Sequence, residues 1–366
     1  MAVKSSGTFL KFSEIATEFS DSQPHEMSEF TRGGSLVPHN SSNANITSVA
    51  ARAGGGADGE MKFSDYYGAA NTFGITIASN ATDVDLATLM NAAQSGVWAS
   101  SEAKTLTINS GVIVGATATS NAALTITSGM GGTLTIVNNG AIQGAGGAAG
   151  AAGGDAIQAS SSGVTITNNG DIYAGGGGGG NGGNGGTGGQ GQYTQVFGQG
   201  FTGGGSCPCD DSCVQRYGSN AYCDPRAGCN GGNSFCIDFS GGLGFLITCQ
   251  QCFRTVYTSG GAGGSGGAGG VGQGYNQSAG SGSSGSAGSA GGTNAGTGGT
   301  GGAGGAGGAF GASGSAGSTG ATGANGNFTN GSAGSAGSSG GAAGDYISGI
   351  SNVTLTNNGN VAGTTS

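Results

Sequence analysis

The sequence predicts a mostly β and irregular fold: a small β-solenoid base, a packed bundle of polyglycine II helices, and a disulfide-rich inserted loop domain. Three observations predict it. Of the 366 residues 89 are glycine, and from Gly296 to Gly326 every third residue is glycine, eleven in succession. Four near-copies, at 105–111, 133–140, 164–170 and 353–359, alternate apolar residues with threonine and end in Asn-Ser-Gly or Asn-Asn-Gly. All eight cysteines fall between Cys207 and Cys252.

The glycine lattice comes first, because it covers most of the second half. A period of three is neither helical nor strand-like; it matches the left-handed extended helix with three residues per turn and no internal hydrogen bonds. A glycine row along such a helix lets another backbone lie against it, and the unpaired backbone groups must then bond sideways. Shorter runs keep the phase at 144–153, 181–189, 282–291 and 331–340. Collagen is excluded because none of the four prolines lies in a periodic run. A flexible linker needs no phase, and the stretch 255–344 carries no charged residue, unlike the charged chains typical of disorder.

In chain order, residues 1–68 read as an attachment segment with three Ser-Glu/Asp motifs: Lys11–Ile15, Glu26–Phe30 and Lys62–Tyr66. Each places serine as an N-cap, an acid in the first turn, and two apolar anchors around them. The anchors Phe12, Ile15, Met27, Phe30, Phe63 and Tyr66 exceed what so short a segment can bury, so it is expected to dock on another protein. Residues 69–172 read as the β-solenoid base, with a strand at 73–77 and an end-capping helix through Ala93 for which Thr82 is the N-cap. Its rungs recur every 28 to 30 residues, and Asn-Asn-Gly is expected to supply a positive φ at the corner. Residues 173–206 form the first long arm and its loop, 253–350 the polyglycine II bundle, and 351–366 a closing rung.

The inserted module, 207–252, contains Cys207, Cys209, Cys213, Cys223, Cys229, Cys236, Cys249 and Cys252. Four disulfides would staple a segment too small for its own core. Cys249 and Cys252 have zinc-ligand spacing, but no regular pair of such units appears, which favours disulfides over a metal. Segments that break the glycine period are expected at the arm ends, where loops carry binding residues. They hold Tyr193, Phe197, Phe201, Tyr275 and Phe328, which with Tyr217, Tyr222 and Phe235 of the cysteine module are expected to gather on one distal face.

A formal charge of −9 argues against nucleic acid and anionic membrane surfaces as partners. No signal peptide and no apolar run of membrane-spanning length is visible. Asp155, Asp171 and Asp345 flank the rungs without a paired-carboxylate pattern, and Asp210, Asp211, Asp224 and Asp238 match no calcium-loop spacing. No catalytic residue, metal or cofactor is therefore expected, and the chain is read as not an enzyme.

The glycine motifs at 175–191, 260–274, 296–326 and 331–344, with variable segments between them, resemble the glycine-rich receptor-recognition adhesins at the tips of phage long tail fibres. That resemblance implies a virion protein at the fibre tip, joined through its N-terminus to another fibre protein. It also implies a bacterial outer-surface receptor, protein or polysaccharide, bound by loops at the ends of polyglycine II helices. The cysteine module and the Asn-Asn-Gly rungs lie outside the family pattern. Two other readings of the sequence are a structural subunit of an extracellular filament or virion decoration, and an ice-binding protein.

Overall fold

The computed structural model describes residues 3–7, 9–24, 26–34, 36–37, 43, 45–46, 61–197, 221–223 and 252–366. These residues are mostly β, with two α-helices and two separate apolar cores.

Each N-terminal motif makes one helical turn: helix α1 (Phe12–Glu18) and the 3-10 turns Met27–Phe30 and Phe63–Tyr66. The cap is not the serine, which sits one residue inside the turn. Instead the acid at the third position accepts the N–H of the residue before the turn. Lys11 N–H donates to Glu14 at 2.8 Å, Glu26 N–H to Glu29 at 3.4 Å and Lys62 N–H to Asp65 at 3.1 Å. The acid wins because it satisfies an orphan donor and also places negative charge at the helix N-terminus.

The anchors correct the sequence reading. Ile15, Phe30 and Tyr66 are fully buried, packing with Phe19, Val37 and Ile46 in a core of the segment's own. Three turns that face one centre pool their anchors, and each buried side chain contributes about 1.5–3 kcal/mol. The Tyr66 hydroxyl donates to Phe30 O at 2.7 Å, so its polar tip is also satisfied inside. Of the remaining anchors, Phe12 is half-buried and Phe63 is exposed; the Met27 side chain lies outside the description.

The base is a parallel β-solenoid of five coils. The first comprises β1 (Thr72–Ile77), β2 (Ala81–Thr82) and β3 (Val84–Asp85), and the second β4 (Ala103–Ile108), β5 (Ile113–Gly115) and β6 (Leu124–Ile126). The third holds β7 (Leu134–Asn138), β8 (Ala141–Gln143) and β9 (Ile157–Ala159). Next come β10 (Val164–Asn168) and β11 (Asp171–Tyr173), then, beyond the glycine region, β15 (Asp345–Ser348). The fifth coil is β16 (Val353–Asn357), β17 (Asn360–Ala362) and β18 (Thr364–Thr365). Corresponding strands stack into three five-stranded sheets. The rung copies lie in register, Thr105 beside Thr135, Thr135 beside Thr165 and Thr165 beside Thr354. Leu106, Ile136 and Ile166 point into the core, as alternation requires.

Each Asn-Asn-Gly corner works through stacking rather than through a left-handed glycine. Asn138 donates to Asn168 and Asn168 to Asn357, both at 2.7 Å, while Asn169 donates to Asn139 and Asn358 to Asn169 at 3.0 Å. Gly140, Gly170 and Gly359 have no positive φ; a Cβ on Gly170 would lie 2.0 Å from the Gly140 carbonyl oxygen. Only the first rung, at Gly111 (φ 78°), uses the conformation expected.

Helix α2 (Leu86–Ala93) closes the first coil, burying Leu86 and Met90. Its N-cap is Asp85 rather than Thr82, because the Asp85 carboxylate accepts Thr88 N–H at 2.7 Å. In β4 of the second coil, Lys104 is buried with its Nζ donating to three carbonyls, those of Ser100, Glu102 and Gly131.

The glycine segments have neither helical nor sheet hydrogen bonds and are joined sideways with a period of three. The arm at 175–190 lies at the centre. Gly176 N–H donates to Gln273 O, Gly177 to Ala312 O and Gly178 to Ala151 O, then Gly179 to Gly270 O and Gly180 to Ser315 O. Successive donors therefore reach three different neighbours. Where all three sides are covered the sequence is six glycines, Gly175–Gly180, all buried. Farther out every third side is open, and the exposed Asn181, Asn184 and Thr187 replace glycine. The segments at 260–274 and 296–309 keep two glycines per triplet; those at 280–291, 312–326 and 331–344, on the outside, keep one. Glycine rows thus count covered faces.

Candidate functional site

The direction of each arm decides which breaks in the period share an end. The first arm leaves the base after Tyr173. The next returns, since Gly188 N–H bonds Gly261 O near one end and Gly176 N–H bonds Gln273 O near the other. The third runs out again, because Gly280 sits beside Val271 and Ser289 beside Ala262. The same antiparallel pairing carries 296–309 back, 312–326 out and 331–344 home to β15.

Two turns therefore lie against the base. Tyr275, expected at the distal face, packs instead over Gly115 of the second coil, in a cleft of about 270 Å³ with Thr117 and Gly146; its N–H bonds Gly144 O. A Cβ on Gly115 would lie 2.1 Å from the Tyr275 ring. Phe310, at the other base-side turn, meets the Tyr173 ring at 5.3 Å. The Tyr173 hydroxyl donates to Asp171 at 2.9 Å, and burial holds this phenol above its ordinary pKa.

Three pieces of chain meet at the far end: the turns at 292–295 and 327–330, and a hairpin of β12 (Gly191–Phe197) and β14 (Cys252–Thr258). Gln192 is where they join. Its N–H donates to Asn327 Oδ1 at 2.7 Å, and its carbonyl accepts Asn327 Nδ2 at 2.9 Å and Asn294 Nδ2 at 3.0 Å. Asn327 N–H bonds Asn294 O, Phe328 N–H bonds Gln190 O, and the Thr258 hydroxyl donates to Thr293 O at 2.7 Å. A short strand, β13 (Ala221–Cys223), pairs with β14 and sets Cys223 opposite Cys252.

On this end Tyr257 and Phe328 lie with ring centroids 4.7 Å apart, tilted 54°, and each is 48% exposed. Tyr193 is part-buried in β12, beside Val256. Arg254 is held by Gln195 Oε1, at 2.9 Å from Nε and 2.6 Å from Nη2. Phe328 and Tyr193 thus share the distal end as expected, and Tyr275 does not. Tyr257 and the three amides at Gln192, Asn294 and Asn327 were not anticipated; counting arms from Gly175 would have found the first, since odd-numbered breaks must be distal.

Phe201, Tyr217, Phe235, Cys207, Cys209, Cys213, Cys229, Cys236 and Cys249 lie outside the described residues, and Phe197, Tyr222, Cys223 and Cys252 are described only as backbone. Among the described residues no group of three or more His, Cys, Asp or Glu side chains could hold a metal ion, and no helix is long and apolar enough to cross a membrane.

No curated protein sequence matches the chain. Among solved structures the chain is similar to the gp37-gp38 adhesin tip complex of the bacteriophage S16 long tail fiber, at 15% identity and TM-score 0.33, covering 83% of this chain and 86% of that one. The family model of the phage tail fibre adhesin Gp38 matches residues 72–245, a stretch that begins at β1. The family match agrees with the resemblance read from the glycine motifs: over residues 72–245 the chain is similar to the phage tail fibre adhesins of the Gp38 family.

Proposed function

We propose that the chain binds a bacterial surface receptor through the distal end of its arms, and joins the fibre through residues 1–68. The arms are read as polyglycine II helices, on the three-residue period of their lateral bonds. At about 3.1 Å per residue, fifteen steps carry the distal end roughly 45 Å from the base. One observation carries the reading: the hairpin and both outer turns are bolted together at Gln192, with two exposed aromatic rings beside the joint. Rigid presentation lowers the ordering cost of binding, and exposed aromatics are the side chains that anchor partners.

The inserted module 207–252 is read as disulfide-stapled; the register that places Cys223 opposite Cys252 suits one cross-strand pair. On the N-terminal segment, Phe63 (46% exposed) meets the half-buried Phe12 edge to face, and with the exposed Phe9 (81%) it supplies apolar surface for docking that the buried anchors cannot. The domain boundaries 1–68, 69–172, 173–206, 207–252, 253–350 and 351–366 stand as our division, with the arms handing back to the base at β15.

The test is adsorption. Purified full-length protein should bind host cells and block adsorption of the parent phage. Phe328→Ala with unchanged folding should weaken both. Protein that folds, binds no strain the phage infects and blocks nothing would remove the receptor reading and leave the structural-subunit one.

A further inference from the structure

The distal face says more about its ligand than that it has one. We infer that the Tyr257–Phe328 pair is a stacking platform for an uncharged surface glycan. This rests on the receptor-binding reading above and names the class of receptor for the same end of the molecule.

The first argument is the shape of the apolar surface. Tyr257 and Phe328 are each about half exposed and in mutual contact, and they come from different segments, the hairpin and the outer turn. Both rings present apolar surface to solvent side by side. A sugar ring offers a flat C–H face that matches such a surface in area, whereas a protein anchor is usually seated in a well-packed recess.

The second argument is charge. The turns at 292–295 and 327–330 and residues 190–192 carry Thr293, Asn294, Asn327, Thr329, Gln190 and Gln192, all neutral. The one described cation on the hairpin, Arg254, is held by Gln195. Amides and hydroxyls each offer donor and acceptor, as sugar hydroxyls do. The described turns themselves carry no charged group to pair with an anionic sugar.

The third argument is preorganisation. Asn327 bonds the Gln192 backbone in both directions, and the next residue is Phe328. The ring therefore starts from a fixed backbone, and little ordering remains to oppose a weak, repeated ligand. Asn327 is accordingly a positioning residue, and Tyr257 and Phe328 are the contacts.

The experiment uses the full chain and surface polysaccharide purified from the adsorbing strain. Wild-type protein should be displaced from cells by that polysaccharide, and protease treatment of the cells should leave adsorption intact. Tyr257→Ala and Phe328→Ala should each weaken adsorption at least tenfold with thermal unfolding unchanged, and Phe328→Trp should restore it. Adsorption abolished by protease and untouched by polysaccharide would overturn the glycan assignment while leaving the adhesin reading in place. Full adsorption by folded Tyr257→Ala and Phe328→Ala would overturn the platform whatever the receptor. Failure of the wild-type protein to bind any cell would instead count against the adhesin reading itself.

Discussion

Replacing Gly182 by alanine tests the central arm with a single methyl group. The added Cβ would sit 2.0 Å from the carbonyl oxygen of Gly302 and 2.6 Å from its carbon. Ordinary contact begins near 3.4 Å, so the arms at 175–190 and 296–309 must part locally by about 1.4 Å. The two bonds nearest the clash, Gly302 N–H to Gly183 O and Gly305 N–H to Gly180 O, are each 2.8 Å. Stretching them by that amount takes both beyond the hydrogen-bonding range of about 3.2 Å. Gly302 and Gly305 are buried, and each N–H left unsatisfied costs about 1–3 kcal/mol, giving about 2–6 kcal/mol for the pair. The lower backbone entropy of an unfolded alanine offsets only about 0.4–1 kcal/mol of this. Against a total stability of about 5–15 kcal/mol the loss is large. The matched control is Ala306→Ser in the neighbouring arm, an exposed spacer expected to stay within about 0.5 kcal/mol. Thermal and urea unfolding of both proteins, followed by circular dichroism, gives the comparison. A Gly182→Ala protein as stable as the control would mean that these arms do not hold each other as the hydrogen bonds imply.

Two further outcomes follow from the same geometry. Ser335→Ala removes the hydroxyl that accepts Asn184 N–H at 2.7 Å and should lower stability by about 1 kcal/mol in urea unfolding, whereas Ser315→Ala on the neighbouring outer arm should be silent. Glu102 is buried with one carboxylate oxygen unpartnered, and burial raises its folded pKa above the ordinary 4.5, against the opposing charge of Lys104. Between those two values the folded chain keeps a proton that the unfolded chain has released, so its contribution to stability must fall as pH rises through that window. Glu102→Gln should remove this component; urea midpoints of both proteins from about pH 4 to about pH 7 should converge at the acid end and separate above it.

What was legible in the sequence is what repeats. The rungs were legible because alternation fixes which residues face inward, so Leu106, Ile136 and Ile166 stack in one column without any long-range information. The arms were legible because only glycine admits a backbone at the distances seen here, and its phase marks the contact row. The serines at 332, 335 and 338 keep the same period one residue after the glycines, yet their role was hidden. Their hydroxyls accept the backbone N–H groups of Thr187, Asn184 and Asn181, and that need exists only because the third face of the central arm opens beyond Gly180.

What was not legible is where chain segments converge. Phe30 and Phe63 occupy different places in near-identical motifs, and the sequence counts both as apolar; only the common centre of three turns makes one core and leaves the other at the surface. Tyr275 and Phe328 both interrupt the glycine period, and locally nothing separates them. They part because arms of nearly equal length alternate direction, so the second break must return to the base and the fifth must be distal. Position in the lattice, not residue type, assigns one ring to packing over Gly115 and leaves the other half exposed beside Tyr257. Up to Thr187 the N–H groups of the central arm donate to backbone carbonyls and to serine hydroxyls, and only at its end does Gln190 N–H reach a distal-turn side chain, the Thr329 hydroxyl at 2.7 Å. The scaffold therefore fixes where the half-exposed Phe328 stands through backbone bonds of its own turn, which suits the receptor-binding reading proposed for this end.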